Sequence, residues 1–217
     1  MYYQRWGKRL LDLVIASIMC MFFLPAHLLI IFAIKILDPG PVFFKQKRVG
    51  KNKQYFNMVK YRSMKVDAPR EMPTHQLKNP DQYITKLGSF LRRTSLDELP
   101  QLFHVVKGDM SLVGPRPALW NQFDLIEERD KYSANVVVPG ITGWAQINGR
   151  DELSIPEKAK QDGYYVAHIS LWMDLKCLAG TVCSVLRREG VQEGDREMVS
   201  DDLKIREGFP PDEKVNK

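Results

Sequence analysis

The apolar run over residues 13–34 is interrupted at its centre by Pro25 and His27 and carries basic residues at both ends. Arg5, Lys8 and Arg9 precede it, and Lys35, Lys45, Lys47 and Arg48 follow it. Cationic flanks are biased toward the cytoplasmic side of a membrane, so the two flanks point to the same side. A run of about 22 residues is long enough to cross a bilayer of about 30 Å as a straight helix. That geometry would leave one basic cluster on the wrong face. Pro25 removes a backbone donor and clashes with the carbonyl four residues earlier, which favours a sharp bend. The sequence therefore predicts a helix that enters the membrane, turns near Pro25 and leaves by the face it entered. A straight single span with a tolerated proline is the alternative.

The 217 residues leave room for one soluble domain after Leu37, long enough to bury a core. The expected division is a reentrant helix with its basic flank over 1–37, a cytosolic catalytic domain over 38–190 and a charged, proline-containing tail over 191–217. The basic, apolar start resembles a secretory signal, but it is too long and no small-x-small cleavage site follows, so it is expected to be retained. The three cysteines, Cys20, Cys177 and Cys183, have neither a pairing framework nor metal-ligand spacing, which suits a reducing compartment. The net charge of +6 favours an anionic partner. Beside a membrane helix, phospholipid headgroups are the first explanation. Nucleic acid would rest on charge alone and is not expected.

Asp38-Pro39-Gly40-Pro41 is a turn cluster that stops the helix. The β-prone runs 42–44 and 55–59 then predict a hairpin with a basic loop. The polar, proline-rich stretch 67–80 reads as a long loop. Helical patterns cover 83–93 and 97–107, with Gly108 as a stop, and Ala118 begins a third that reaches Ser133. Residues 111–117 are expected to be irregular because two prolines flank Arg116, and 139–149 reads as a glycine-containing loop. Over 169–186, Leu171, Leu175, Leu178, Val182 and Val185 share one helix face, which predicts a helix at a membrane interface or packed on the core.

The residues with the most chemical potential are Asp97 and Glu98. Adjacent carboxylates at a helix start, preceded by Arg92 and Arg93, suit a phosphate and a divalent cation together. The same residues also match a capping box, with Ser95 as cap and Glu98 bonding back. Pro100 fits a first turn better if Asp97 is the cap. Arg116 offers a planar donor fork on a stiff stretch, suited to phosphate or simply to the surface. Lys60 and Arg62 would share one strand face. Gln146 and Arg150 are weaker substrate candidates. His27, His75, His104 and His168 lack metal-ligand spacing, and no Walker or dinucleotide glycine motif is present.

These residues carry a family resemblance. The blocks Asp38-Pro39-Gly40-Pro41-Val42-Phe43-Phe44, Ser95-Leu96-Asp97-Glu98-Leu99-Pro100-Gln101, Lys107-Gly108-Asp109-Met110-Ser111-Leu112-Val113-Gly114-Pro115-Arg116-Pro117 and Pro139-Gly140-Ile141-Thr142-Gly143-Trp144-Ala145-Gln146 resemble the bacterial sugar transferases. These are monotopic phosphoglycosyl transferases, and the likeness runs from the N-terminus to about Arg188, in the manner of the minimal catalytic form. The resemblance implies a mostly helical α+β fold with a proline-broken reentrant helix, a β-hairpin and interfacial helices, held at the cytoplasmic face of a bacterial inner membrane. It implies transfer of a sugar 1-phosphate from a UDP-sugar to undecaprenyl phosphate, with release of UMP and with Mg²⁺ as cofactor. It implies Asp97 as the nucleophile that forms a phosphosugar intermediate, Glu98 (with Asp97) at the metal, and Arg92, Arg116 and Lys60 near phosphate. Pro25 matches the helix-breaking proline, but Leu24 stands where the family often has a serine. A non-catalytic membrane adaptor and a glycosyl transferase releasing UDP are the alternatives; the sugar, the pathway and any homo-oligomer are left open.

Overall fold

The computed structural model describes residues 3–69, 77, 79–149 and 152–187. Arg150, the expected 191–217 tail and most of the 67–80 loop lie outside the described residues. Among the described residues the fold is mostly helical α+β, as the resemblance implies, with two small two-stranded sheets.

The apolar run forms two helices, α1 (Lys8–Phe22) and α2 (Leu24–Leu37), bent by 57° at Phe23. Pro25 stands in the first turn of α2, where its missing N–H costs no helical hydrogen bond. Among the described residues no single helix is long and apolar enough to cross a membrane, so the straight-span alternative gives way to the bent pair. The bend forms with Leu24, not serine, before the proline. Ile30 and Ile34 of α2 pack against Val42, Tyr61 and Leu91, while Leu28, Leu29, Phe32 and Ile36 are exposed.

The first helix joins the main core. Ala16 clusters with Leu102, Val105, Met110 and Met173. Its polar residues are tied down at the same time: Asp12 accepts from Ser111 Oγ (2.6 Å) and the Leu112 N–H (3.2 Å). Lys8 Nζ lies 2.7 Å from Asp174, which also accepts from the hydroxyls of Tyr3 and Tyr165. A buried carboxylate is tolerated only with such partners.

The hairpin comprises β1 (Phe43–Val49) and β2 (Tyr55–Tyr61), antiparallel in a register that pairs Phe44 with Lys60 and Arg48 with Phe56. Side chains alternate across a strand, so Phe44, Gln46, Arg48, Met58 and Lys60 share one face and Phe43, Val59 and Tyr61 the other. Helix α3 (Lys86–Arg93) begins three residues later than predicted. Tyr83 and Ile84 instead pair with Lys65 and Met64, and Thr85 caps α3 by accepting from the Gly88 N–H. Gly88 sits against the chain after β2: a Cβ there would lie 1.9 Å from Ser63 O. Gly88→Ala is expected to destabilise by roughly 1–3 kcal/mol through overpacking and to displace Arg92 along with α3, measured by thermal unfolding.

Two predicted irregular stretches contain strands. Ser111–Val113 (β3) and Gly140–Thr142 (β4) form a parallel pair, and Gly143 leads into the short helix α6 (Trp144–Ile147). The prolines at 115 and 117 restrict only the residues C-terminal to β3. The helix expected to begin at Ala118 is shortened to α5 (Phe123–Asp130). Ala118 O accepts from the Val49 N–H (2.9 Å) and Leu119 bridges Arg48, so these residues extend the hairpin edge instead. Helix α7 (Ile155–Ala167), absent from the sequence-based expectations, opens with a capping box of Ser154 and Glu157.

Helix α8 (Leu171–Arg187) buries Met173, Asp174 and Cys177. Leu171, Leu175 and Val182 of the predicted apolar stripe face outward, beside an exposed Trp172.

Candidate active site

The carboxylates lie between α3 and α4 (Gln101–Lys107), in a single 3-10 turn, Leu96–Glu98. Ser95 sets this turn up by adopting the left-handed conformation (φ 55°, ψ 16°), unlike the extended backbone of an N-cap, and it makes no side-chain cap. Pro100, not Asp97, stands at the N-cap of α4, again without a side-chain cap. The capping-box reading is therefore corrected at both candidate caps: Asp97 and Glu98 are not held as caps.

The turn packs against β2, which brings Lys60 toward the carboxylates. Asp97 is buried, and Lys60, Arg92 and Arg116 all act on it electrostatically. Burial, and then the adjacent Glu98, push the Asp97 carboxyl up to about 6, against the pull of the three cations. Burial holds Lys60 below the usual lysine range, although Asp97 and Glu98 act in the other direction. Arg116, on the stiff stretch after β3, places Nη2 2.6 Å from Glu98 Oε1. Five residues singled out from sequence, Lys60, Arg92, Asp97, Glu98 and Arg116, thus converge from four different segments.

Gln146 is placed differently. Its Nε2 donates from α6 back to Ile141 O of β4 (3.2 Å), and the interactions that gather the other five do not include it. The sequence places Arg48 only in the basic flank, yet it belongs to the cluster. Its guanidinium is fixed by Pro117 O (2.9 Å) and Gln46 Oε1 (2.6 Å), and it senses both Arg116 and Glu98. The signal was the period-two placement of Gln46, Arg48 and Lys60 on the hairpin face that turns inward.

These neighbours imply a pH dependence. A group that must be ionised to act should give a limb of activity rising with pH near its pKa, here about 6 for Asp97. Lys60 favours the ionised form, so Lys60→Met should move this limb to higher pH, measured as kcat/KM against pH.

Among the described residues no group of three or more His, Cys, Asp or Glu gathers as a metal cage. Asp97 and Glu98 do supply the one or two carboxylates with which Mg²⁺ is commonly held when substrate phosphates complete its shell.

The comparisons with known proteins fit this arrangement. Residues 3–188 match the model of the bacterial sugar transferase family. The uncharacterized sugar transferase EpsL of Bacillus subtilis (strain 168) is 42% identical over 187 residues, covering 86% of this chain and 90% of that protein. The exopolysaccharide production protein ExoY of Rhizobium meliloti (strain 1021) is 34% identical, covering 85% and 87%. The UDP-glucose:undecaprenyl-phosphate glucose-1-phosphate transferase of Xanthomonas campestris pv. campestris is 41% identical, covering 83% of this chain but 39% of that longer protein. A family match across nearly all the described residues, and relatives well above 30% identity, make this chain a member of the bacterial sugar transferase family.

Proposed function

We propose that the protein transfers a sugar 1-phosphate from a UDP-sugar to undecaprenyl phosphate, releasing UMP, at the start of glycoconjugate or exopolysaccharide assembly. The observation that carries this reading is a buried carboxylate, Asp97, not tied up as a helix cap and surrounded by Lys60, Arg92 and Arg116. Such cations neutralise a diphosphate that would otherwise repel the attacking carboxylate. The name of the Xanthomonas relative supplies the donor and acceptor classes.

In the first step Asp97 attacks the sugar-bearing phosphorus, a P–O bond to UMP breaks, and UMP leaves with the bonding electrons. In the second step a phosphate oxygen of the lipid attacks the same phosphorus and frees the Asp97 carboxylate. Splitting the transfer in two lets a soluble donor and a membrane acceptor use one site in turn. Lys60, Arg92 and Arg116 hold phosphate oxygens, and Arg116 orients Glu98 through the 2.6 Å contact. Glu98 and Asp97 would hold Mg²⁺, which supplies further charge neutralisation on the phosphates when bound.

The bent helix pair and the outward Leu171, Leu175 and Val182 of α8 support placement of the chain at a membrane. The α1 and α2 residues Leu10, Ile18, Phe22, Leu28 and Phe32 form an exposed apolar surface far beyond what scattered surface residues provide. In this reading the bend dips into the cytoplasmic leaflet of the bacterial inner membrane and the site stands at the headgroup plane.

The test is nucleotide release without acceptor, using the purified full chain in nanodiscs with Mg²⁺ and a panel of UDP-sugars. About one UMP per protein before any lipid is added, with turnover only afterwards, is the expected ping-pong result. UDP as the product would indicate simple glycosyl transfer, and no nucleotide from any donor would favour the adaptor reading.

A further inference from the structure

The inward face of the hairpin opens on a cavity of about 260 Å³, closed on its other side by the segment 62–69 and Leu77. Lys45, Arg48, Lys60, Arg62, Lys65 and Arg92 line it, and among the described residues that line it there is no carboxylate. Two of these cations, the buried Arg62 and the half-buried Arg48, have buried nitrogens left over. Arg62, about nineteen-twentieths buried, uses Nη2 on Asp38, while its Nε and Nη1 have no partner in the chain. The Nε of Arg48 is equally without a partner. Donors left unsatisfied in a buried site are costly, and guanidinium forks suit phosphate oxygens. An excess of cations around an enclosed space therefore calls for an anion.

The rest of the lining says more about that anion. Phe44, Met64, Val66 and Leu77 give the cavity apolar lining beside its charges, Phe44 standing across the strands from Lys60. An inorganic phosphate would leave that lining unused. A polyprenyl chain needs an apolar channel next to lipid, and this cavity does not offer one. Such a channel lies on the opposite face of the hairpin, where Leu28, Ile31, Phe103 and Val59 line a separate groove of about 420 Å³ beside α2. Phe43 and Tyr61, stacked 5.5 Å apart, line both spaces and form the wall between them. A ligand with a flat ring, whose faces pack on apolar side chains, at one end and phosphate at the other matches the first cavity.

We propose that this cavity seats the nucleoside monophosphate half of the donor, with Arg48 and Arg62 on its phosphate and Phe44, Met64 and Val66 against the uracil and ribose. The assignment rests on the phosphoglycosyl reading above and adds to it a place for the leaving group. Lys60 and Arg92 face both this cavity and Asp97, so the scissile diphosphate spans the two. The departing UMP then leaves from Arg48 and Arg62 before the acceptor takes its turn.

UMP itself is the probe, titrated calorimetrically into the full chain in nanodiscs, with inorganic phosphate for comparison. Two variants are compared with the parent. Arg48→Met removes a half-buried cation. Val66→Trp fills the cavity from a half-exposed position, without deleting a buried contact, and so guards against a folding failure. Each is expected to weaken UMP binding by about tenfold or more, the scale of a lost charged contact, and to raise the donor KM while leaving the undecaprenyl phosphate KM within about twofold. UMP binding unchanged in both variants overturns the assignment. A raised lipid KM with unchanged UMP binding overturns it in favour of the acceptor phosphate. Because UMP binding needs no turnover, parental binding that both variants weaken supports the site even if no UDP-sugar is consumed; that result would remove the reaction, not the cavity's ligand.

Discussion

Asp97→Asn is expected to lower UMP release by a factor on the order of 10⁴ or more, the scale seen when an enzyme loses its nucleophile. The amide keeps the size of the carboxylate and removes only its charge and nucleophilicity. The same variant should be more stable than the parent at pH 7. Asp97 titrates near 6 in the folded protein against 3.8 for an ordinary aspartate, so the folded state holds the proton more tightly than the unfolded chain. Its contribution is therefore favourable below about 3.8 and is lost as pH rises through about 6. At pH 7 the ionised, buried carboxylate costs stability of the order of 3 kcal/mol, and asparagine removes that cost. A melting temperature higher by several degrees at pH 7, with the gain disappearing toward pH 4, is the result to look for. Retained activity in this variant would remove Asp97 from the nucleophile's role.

Arg129→Met is expected to give the largest loss of stability. Arg129 and Asp162 join α5 to α7 through contacts of 2.8 and 2.5 Å to one carboxylate oxygen, both residues almost wholly buried. Removing the guanidinium strands a buried carboxylate, which costs roughly 3–5 kcal/mol. Burial already pushes Asp162 upward and Arg129 is the first influence holding it down, so the variant's carboxyl rises further. A raised carboxyl loses stability as pH increases; the deficit should therefore be greater at pH 8 than at pH 5 in thermal melts. The double variant Arg129→Met/Asp162→Leu should recover most of the loss, because neither charge remains to be desolvated. Equal stability of the single and double variants would mean that the pair's cost lies elsewhere.

Much of the site was legible because its chemistry is local. Asp97-Glu98 beside Arg92, and Arg116 between prolines, are recognisable at short range and through family resemblance. Lys60 depended on the hairpin prediction, which the register of β1 and β2 bears out in position. The capping-box alternative failed because one residue, Ser95, took a left-handed backbone that no motif spacing reveals. The parallel pair β3–β4 was invisible for a related reason: three-residue strands carry too little periodicity to register, and their partners lie far apart in the chain. Arg48 escaped notice because a cation next to a membrane helix has a ready explanation as a flank.

The sequence by itself determined the break near Pro25, the hairpin, the boundary between two helices just before the carboxylates and the family, because proline geometry, alternation and contiguous motifs act over a few residues. Only the tertiary structure decided that α1 shares the core with α4, that Leu171, Leu175 and Val182 of α8 face outward while Leu178 packs on the core and Asp174 faces in, and that the hairpin borders two different spaces. Each of these depends on which surface meets which partner across long sequence separations. Burial against distant segments then raises the Asp97 carboxyl and leaves Arg48 and Arg62 with donors to satisfy, a consequence of desolvation that no local pattern encodes.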